Sequence, residues 1–252
     1  MAIYEQRASV QGPSRPRGPA ASVEVSVLNG FELVRGASTV TLTMGSQRLL
    51  AYLALQSHPV LRIHVAGILW GEATERRSLA SLRSTLWRLH EAGLRVVECI
   101  GAGLRLVPDV GVDLRNSTLL ARRLIHEPDA VSDPELTQTP FRYDLLPDWY
   151  DDWVMGERER FRQLRLHALE AMVPRLLRAS RFAEAIEAGQ AAVTAEPLRE
   201  SAHRALIAAH LSEGNPGEAL RQYHLFRKLL QRELGVEPSP RIHALLAGLP
   251  IP

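Results

Sequence analysis

Between Val23 and Val107 the hydrophobic period of the chain changes twice, and that succession restricts the fold more than any single motif. Residues 23–28, 31–34 and 39–43 are short β-favouring runs, separated by Asn29-Gly30 and by Arg35-Gly36-Ala37-Ser38. Turns of that kind join antiparallel strands. The spacing then becomes helical. Ser46 can cap a helix through Leu49, Leu50, Tyr52, Leu53 and Leu55, which Pro59 stops. A second helix is predicted over 62–70, with Ile63, Val65, Ile68 and Leu69 apolar. After the turn Gly71-Glu72-Ala73-Thr74, a third helix is predicted over 75–91. Its Leu79, Leu82, Leu86 and Leu89 recur at spacings of three and four, so they share one face.

The second change follows Gly93. Residues 95–100 and 104–107 read as two strands around the tight turn Gly101-Ala102-Gly103. Strands, three helices and a hairpin, in that order, predict a winged helix-turn-helix with a three-stranded N-terminal sheet and a β-hairpin wing. From Asp113 onward the chain reads as helix, apart from a Pro- and Asp-rich loop over 127–148. Glu184, Ala185 and Ile186 recur 34 residues on as Glu218, Ala219 and Leu220, the period of tetratricopeptide helix pairs. The expectation is a mainly α protein with a small β part. Residues 1–22 form a disordered tail, 23–110 a winged-helix DNA-binding domain, and 111–252 an all-α tetratricopeptide-like domain.

Composition narrows the function. The chain carries 30 basic and 28 acidic residues, unevenly placed. Residues 1–110 hold twelve Arg against eight acids, and the rest is slightly acidic. A basic front half suits an anionic partner. Cys99 is the single cysteine, which excludes an internal disulfide and fits a reducing cytoplasm. No apolar run is long enough to cross a bilayer, and the first residues lack the apolar stretch of a signal peptide.

With the leucine stripe inward, Arg77, Ser81, Ser84 and Arg88 of the third helix point outward, flanked by Arg76 and Trp87, with Arg83 nearer the edge. Arginine can bond guanine O6 and N7 together, and serine serves base or phosphate, so this face suits the major groove. Arg105, past the hairpin turn, is a candidate for the minor groove, whose negative potential attracts it. Arg48, near the start of the first helix, is a candidate phosphate contact. Enzymatic readings are weak. His203, His210 and His224 lack a cysteine or close carboxylate to complete a metal site. Asp151, Asp152, Glu157 and Glu159 alternate with arginines, as a salt-bridged helix start does. Gly101-Ala102-Gly103 is followed by a strand, so it is not a nucleotide-binding loop. No catalytic residue, metal or cofactor is expected.

Three segments resemble a known family. Gln47-Arg48-Leu49-Leu50-Ala51-Tyr52-Leu53-Ala54-Leu55, Leu69-Trp70 and Leu82-Arg83 resemble an OmpR-like winged helix, the output domain of two-component regulators. The run Leu145-Leu146-Pro147-Asp148-Trp149-Tyr150-Asp151-Asp152-Trp153, with Glu157-Arg158-Glu159-Arg160 and Glu233-Leu234-Gly235-Val236-Glu237-Pro238, resembles the bacterial transcriptional activation domain. Together they resemble the small antibiotic regulatory proteins of actinobacteria. The resemblance implies an activator of secondary-metabolite gene clusters. It would bind direct repeats near the −35 element as a homodimer on DNA and contact RNA polymerase, including its sigma subunit, at the nucleoid and without a membrane. It departs from the family pattern at His90 and Leu104, where an Arg and an aromatic are common. The rival reading is a helical-repeat adaptor, or an effector sensor, without specific DNA binding.

Overall fold

A computed structural model describes residues 22–137 and 140–247, so the expected tail falls almost wholly outside the described residues. The front begins with β1 (Val23–Ser26), β2 (Glu32–Arg35) and β3 (Ser38–Thr39), then α1 (Met44–Ala54), β4 (Val60–Leu61), α2 (Arg62–Leu69) and α3 (Glu75–Glu91). The wing is β5 (Val97–Ile100) and β6 (Gly103–Leu106), followed by β7 (Val110–Val112). The back comprises α4 (Asp113–His126), α5 (Asp133–Thr137), α6 (Asp152–Arg178), α7 (Phe182–Ala195), α8 (Glu200–Glu213), α9 (Pro216–Leu234) and α10 (Pro240–Leu245).

The sheets are larger than expected. The N-terminal sheet has four strands in the order β3-β2-β1-β7, because β7 returns to pair parallel with β1. The wing is likewise three-stranded, since β4 adds to β6 through Val60↔Leu104 and Leu61↔Gly103. Strands of two or three residues carry almost no periodic signal, so neither β4 nor the return of β7 could be read from the chain. The first helix starts three residues early. Thr43 is its N-cap, and Ser46 is buried with its hydroxyl 3.1 Å from that of Thr43. The expected loop over 127–148 holds α5 and two 3-10 turns, at Pro128–Ala130 and Pro140–Arg142.

The tetratricopeptide register is visible in the packing. Ala185 and Ala219, one period apart, are both fully buried. Gly189 of α7 lies so close to α8 that a Cβ there would meet the Leu206 Cα at 3.0 Å. A small residue is what permits that crossing.

The two halves share a core. Leu145, Leu146, Val154 and Phe161, all from the back half, are buried among the apolar residues of the front sheet and helices. The backbone is stitched as well: Leu146 N–H donates to Val27 O, and Asn29 N–H to Asp144 O, both at 2.9 Å. Asp113, the first residue of α4, accepts from the amides of Val27 and Leu28 at the end of β1. Phe31, Trp149, Trp153 and Tyr52 form a chain of ring contacts with centroids 5.3–6.1 Å apart. Arg158 completes the join by donating to the carbonyls of Leu145, Leu146 and Trp149. Leu146 has a φ of 42°, a conformation a branched side chain adopts only when its surroundings hold it there.

Candidate nucleic-acid interface

The turn between α2 and α3 is set by steric and polar detail. A side chain at Gly71 would meet the Gly67 carbonyl oxygen at 2.7 Å, so the chain leaves α2 by a path open only to glycine. The buried Ser78 hydroxyl bonds the Trp70 carbonyl at 2.7 Å and lies 3.2 Å from that of Thr74, tying the turn to the first coil of α3.

The inward ridge of α3 is Ser78, Leu82, Thr85 and Leu89. Leu79 and Leu86, expected in the same buried stripe, are only half-buried. Short polar residues form part of the contact because α1 approaches closely: a Cβ on Gly45 would lie 3.6 Å from the Thr85 hydroxyl. At 100° per residue the true inward direction is turned roughly 50° from the leucine average. Arg76, Arg77, Arg83, Ser84, Trp87 and Arg88 are exposed together on the opposite face. Ser81 moves to the flank and is half-buried, while Trp87 moves from the edge to the middle.

The charges on this face are uncompensated. Among the described residues, Arg76, Arg77, Arg83 and Arg88 form no ion pair. In the back half Arg123, Arg142, Arg162, Arg175, Arg181 and Arg199 each hold a carboxylate. Clustered, unpaired guanidinium groups on a rigid helix attract an anion with repeated charge.

The other two candidates are placed differently. Arg48 pairs with Asp151 at the start of α6, with both side chains only about a quarter exposed (27% and 25%). It therefore joins the two halves through a partner 103 residues away in the chain, and would reach a phosphate only by sharing or leaving that carboxylate. Arg105 lies on β6 opposite Glu98, its register partner, and donates to that carboxylate at 2.5 Å. It is thus two residues inside the wing and already neutralised, not at the tip. The structure adds Arg62, an exposed cation at the start of α2. Its N–H donates to Ala102 O at 3.0 Å and its guanidinium approaches Cys99 Sγ at 3.2 Å, so it sits beside the wing turn. Only the β4–β6 pairing brings it there, and sequence carried no sign of that.

The acidic cluster at the start of α6 is dispersed. Asp151 holds Arg48, Glu157 holds Arg160, and Glu159 holds Arg162. Hydrogen bonds from Arg162 and Gln163 keep Glu159 ionised, with its pKa lowered to about 2, which is unsuited to proton transfer near neutrality. Among the described residues no group of three or more His, Cys, Asp or Glu is placed to hold a metal ion. No helix of the described residues is long and apolar enough to cross a membrane.

Residues 139–249 match the bacterial transcriptional activator domain. The curated proteins that the chain resembles include regulatory proteins of Streptomyces. The chain is 30% identical to the regulatory protein AfsR of Streptomyces coelicolor over 250 residues, 92% of its own length but 25% of that relative. It is 37% identical over 100 residues to the transcriptional regulator RedD of the same organism, covering 38% of this chain and 29% of RedD. It therefore spans about a quarter of the length of the AfsR relatives it matches. In fold it is similar to Mycobacterium tuberculosis EmbR, solved in complex with a low affinity phosphopeptide. The TM-score is 0.70 at 22% identity, over 89% of this chain and 64% of that one. The chain thus has the expected architecture: a winged helix followed by tetratricopeptide-like helices.

Proposed function

We propose that the chain is a sequence-specific DNA-binding transcriptional activator of a secondary-metabolite gene cluster. In this reading residues 23–110 grip DNA and residues 111–252 contact RNA polymerase, its sigma subunit included. Two copies occupy direct repeats near a −35 element, in the cytoplasm at the nucleoid. The observation that carries it is the open face of α3, where four arginines without carboxylate partners among the described residues surround Ser84 and Trp87. α3 enters the major groove through that face, and Arg62 and the wing approach the neighbouring backbone. Arg105 reaches DNA only by leaving Glu98, so its contribution is smaller than that of an α3 arginine.

A gel-shift series against salt tests the reading, with duplexes selected by the full chain from a random-sequence pool. Arg77→Ala or Arg88→Ala weakens binding by about 1–3 kcal/mol if a base contact is lost. A lost phosphate contact instead reduces the salt slope by about 1. Unchanged affinity in both variants removes the assignment of this face. If the chain selects no duplex, the helical-repeat adaptor replaces the activator.

A further inference from the structure

Of the four tryptophans, Trp70, Trp149 and Trp153 pack against the front core. Trp87 does not: it is 62% exposed, and among the described residues no ring stacks on it. Leaving an indole in water forgoes the burial that makes tryptophan useful to a fold. Nothing in the intramolecular packing accounts for it at this position.

Its neighbours suggest what covers it. Trp87 lies almost opposite the buried ridge of Ser78, Leu82, Thr85 and Leu89. Arg83 is one helical turn before it, Ser84 three residues before, and Arg88 adjacent, all three exposed. Ala80, two turns back, keeps the row behind the indole low. An apolar plate ringed by unpaired cations fits a partner that is anionic at its edges and apolar at one point inside. In the major groove of DNA the phosphates supply the anions. The largest apolar feature there is the C5-methyl of thymine, set among the N7, O6, O4 and amino groups that accept or donate hydrogen bonds.

We propose that Trp87 is a specificity-determining residue that packs against a thymine methyl group in the major groove. This rests on the DNA-binding reading above and adds which base is selected and by which side chain. Arg83 and Arg88 on either side hold the backbone or guanine edges, and the indole rejects bases whose groove edge is polar where it lands.

The test removes the methyl groups one at a time. In the tightest duplex selected by the full chain, each thymine is replaced by deoxyuridine, which keeps the base pair and loses only the C5-methyl. Wild type is expected to weaken about fourfold at one or two positions, the scale of one buried methyl group. Trp87→Ala should bind more weakly and be indifferent to the replacement at those positions. Trp87→Phe should retain part of the discrimination. The exposed site makes both variants safe for folding, checked by circular dichroism. If wild type is indifferent at every thymine, or Trp87→Ala keeps the full sensitivity, the proposal is overturned while DNA binding stands. If wild type selects no duplex, the DNA-binding reading fails and this one with it.

Discussion

Replacing Arg158 by alanine tests whether the two halves are one folding unit. The guanidinium of Arg158 donates to three backbone carbonyls, of Leu145, Leu146 and Trp149, and the first two belong to fully buried residues. A hydrogen bond involving a charged group contributes about 1.5–3 kcal/mol net. Arg158 itself is half-buried, so water reaches part of the space that alanine leaves. Counting two of the three bonds as lost gives a destabilisation of about 3–6 kcal/mol. Arg158→Lys keeps the charge but not the planar fork, so it should fall between alanine and wild type. Arg160→Ala is the control. Arg160 is 78% exposed, pairs only with Glu157, and should cost less than about 1 kcal/mol. Urea unfolding is followed by far-ultraviolet circular dichroism, which reports the helices, and by tryptophan fluorescence, to which Trp149 and Trp153 at the join contribute two of the four indoles. In wild type the two transitions should coincide because the core is shared. In Arg158→Ala the fluorescence transition should move to lower urea. A loss under about 1 kcal/mol with unchanged fluorescence would refute the reasoning, since the 145–149 segment would then be held by its packing and its backbone bonds to the front half without Arg158.

Arg48→Gln should lower stability by about 1–2 kcal/mol, between exposed and buried ion pairs, and leave DNA affinity at fixed salt nearly unchanged. Chemical denaturation beside a gel shift checks both, and a large affinity loss in the folded variant would return Arg48 to the interface. Gly189→Val should cost about 1–3 kcal/mol by overpacking against Leu206, read as a lower melting temperature with the wing intact. His203 is buried, stacks on Phe226 at 4.0 Å and lies 2.9 Å from the Pro197 carbonyl. Burial pushes its pKa below the ordinary 6.5. The folded state thus favours the neutral ring while the unfolded chain still protonates near 6.5, so stability is complete above that pH. It falls as pH drops from 6.5 toward the folded value, by at most about 1.4 kcal/mol per unit. His203→Gln should flatten this part of a stability–pH curve, and an unchanged slope would remove the assignment.

The front half was legible because its signals are local. The period of apolar residues, the turn glycines and the position of Pro59 name the helices and most strands, and α3 spans Glu75–Glu91 as its sequence predicts. The Arg and Ser residues of that helix could be picked out for the same reason: 100° per residue is a property of the backbone. The exact face was not legible. Ser78 and Thr85 count as polar in any hydropathy pattern, yet they are buried because Gly45 and the turn carbonyls give them space and partners. That turned the helix and moved Trp87 to its outer centre.

Contacts between residues far apart in the chain were decided by the tertiary structure alone. Arg48 looked like a free helix-start cation until Asp151 was placed beside it, and Arg105 looked like a wing-tip cation until the strand register set it against Glu98. The same holds for the shared core, where Leu145, Leu146 and Val154 fill the underside of a sheet more than a hundred residues earlier. Sequence periodicity reports which way a side chain faces relative to its own helix or strand. What waits on that face depends on how the chain closes over long loops, and no local pattern records it.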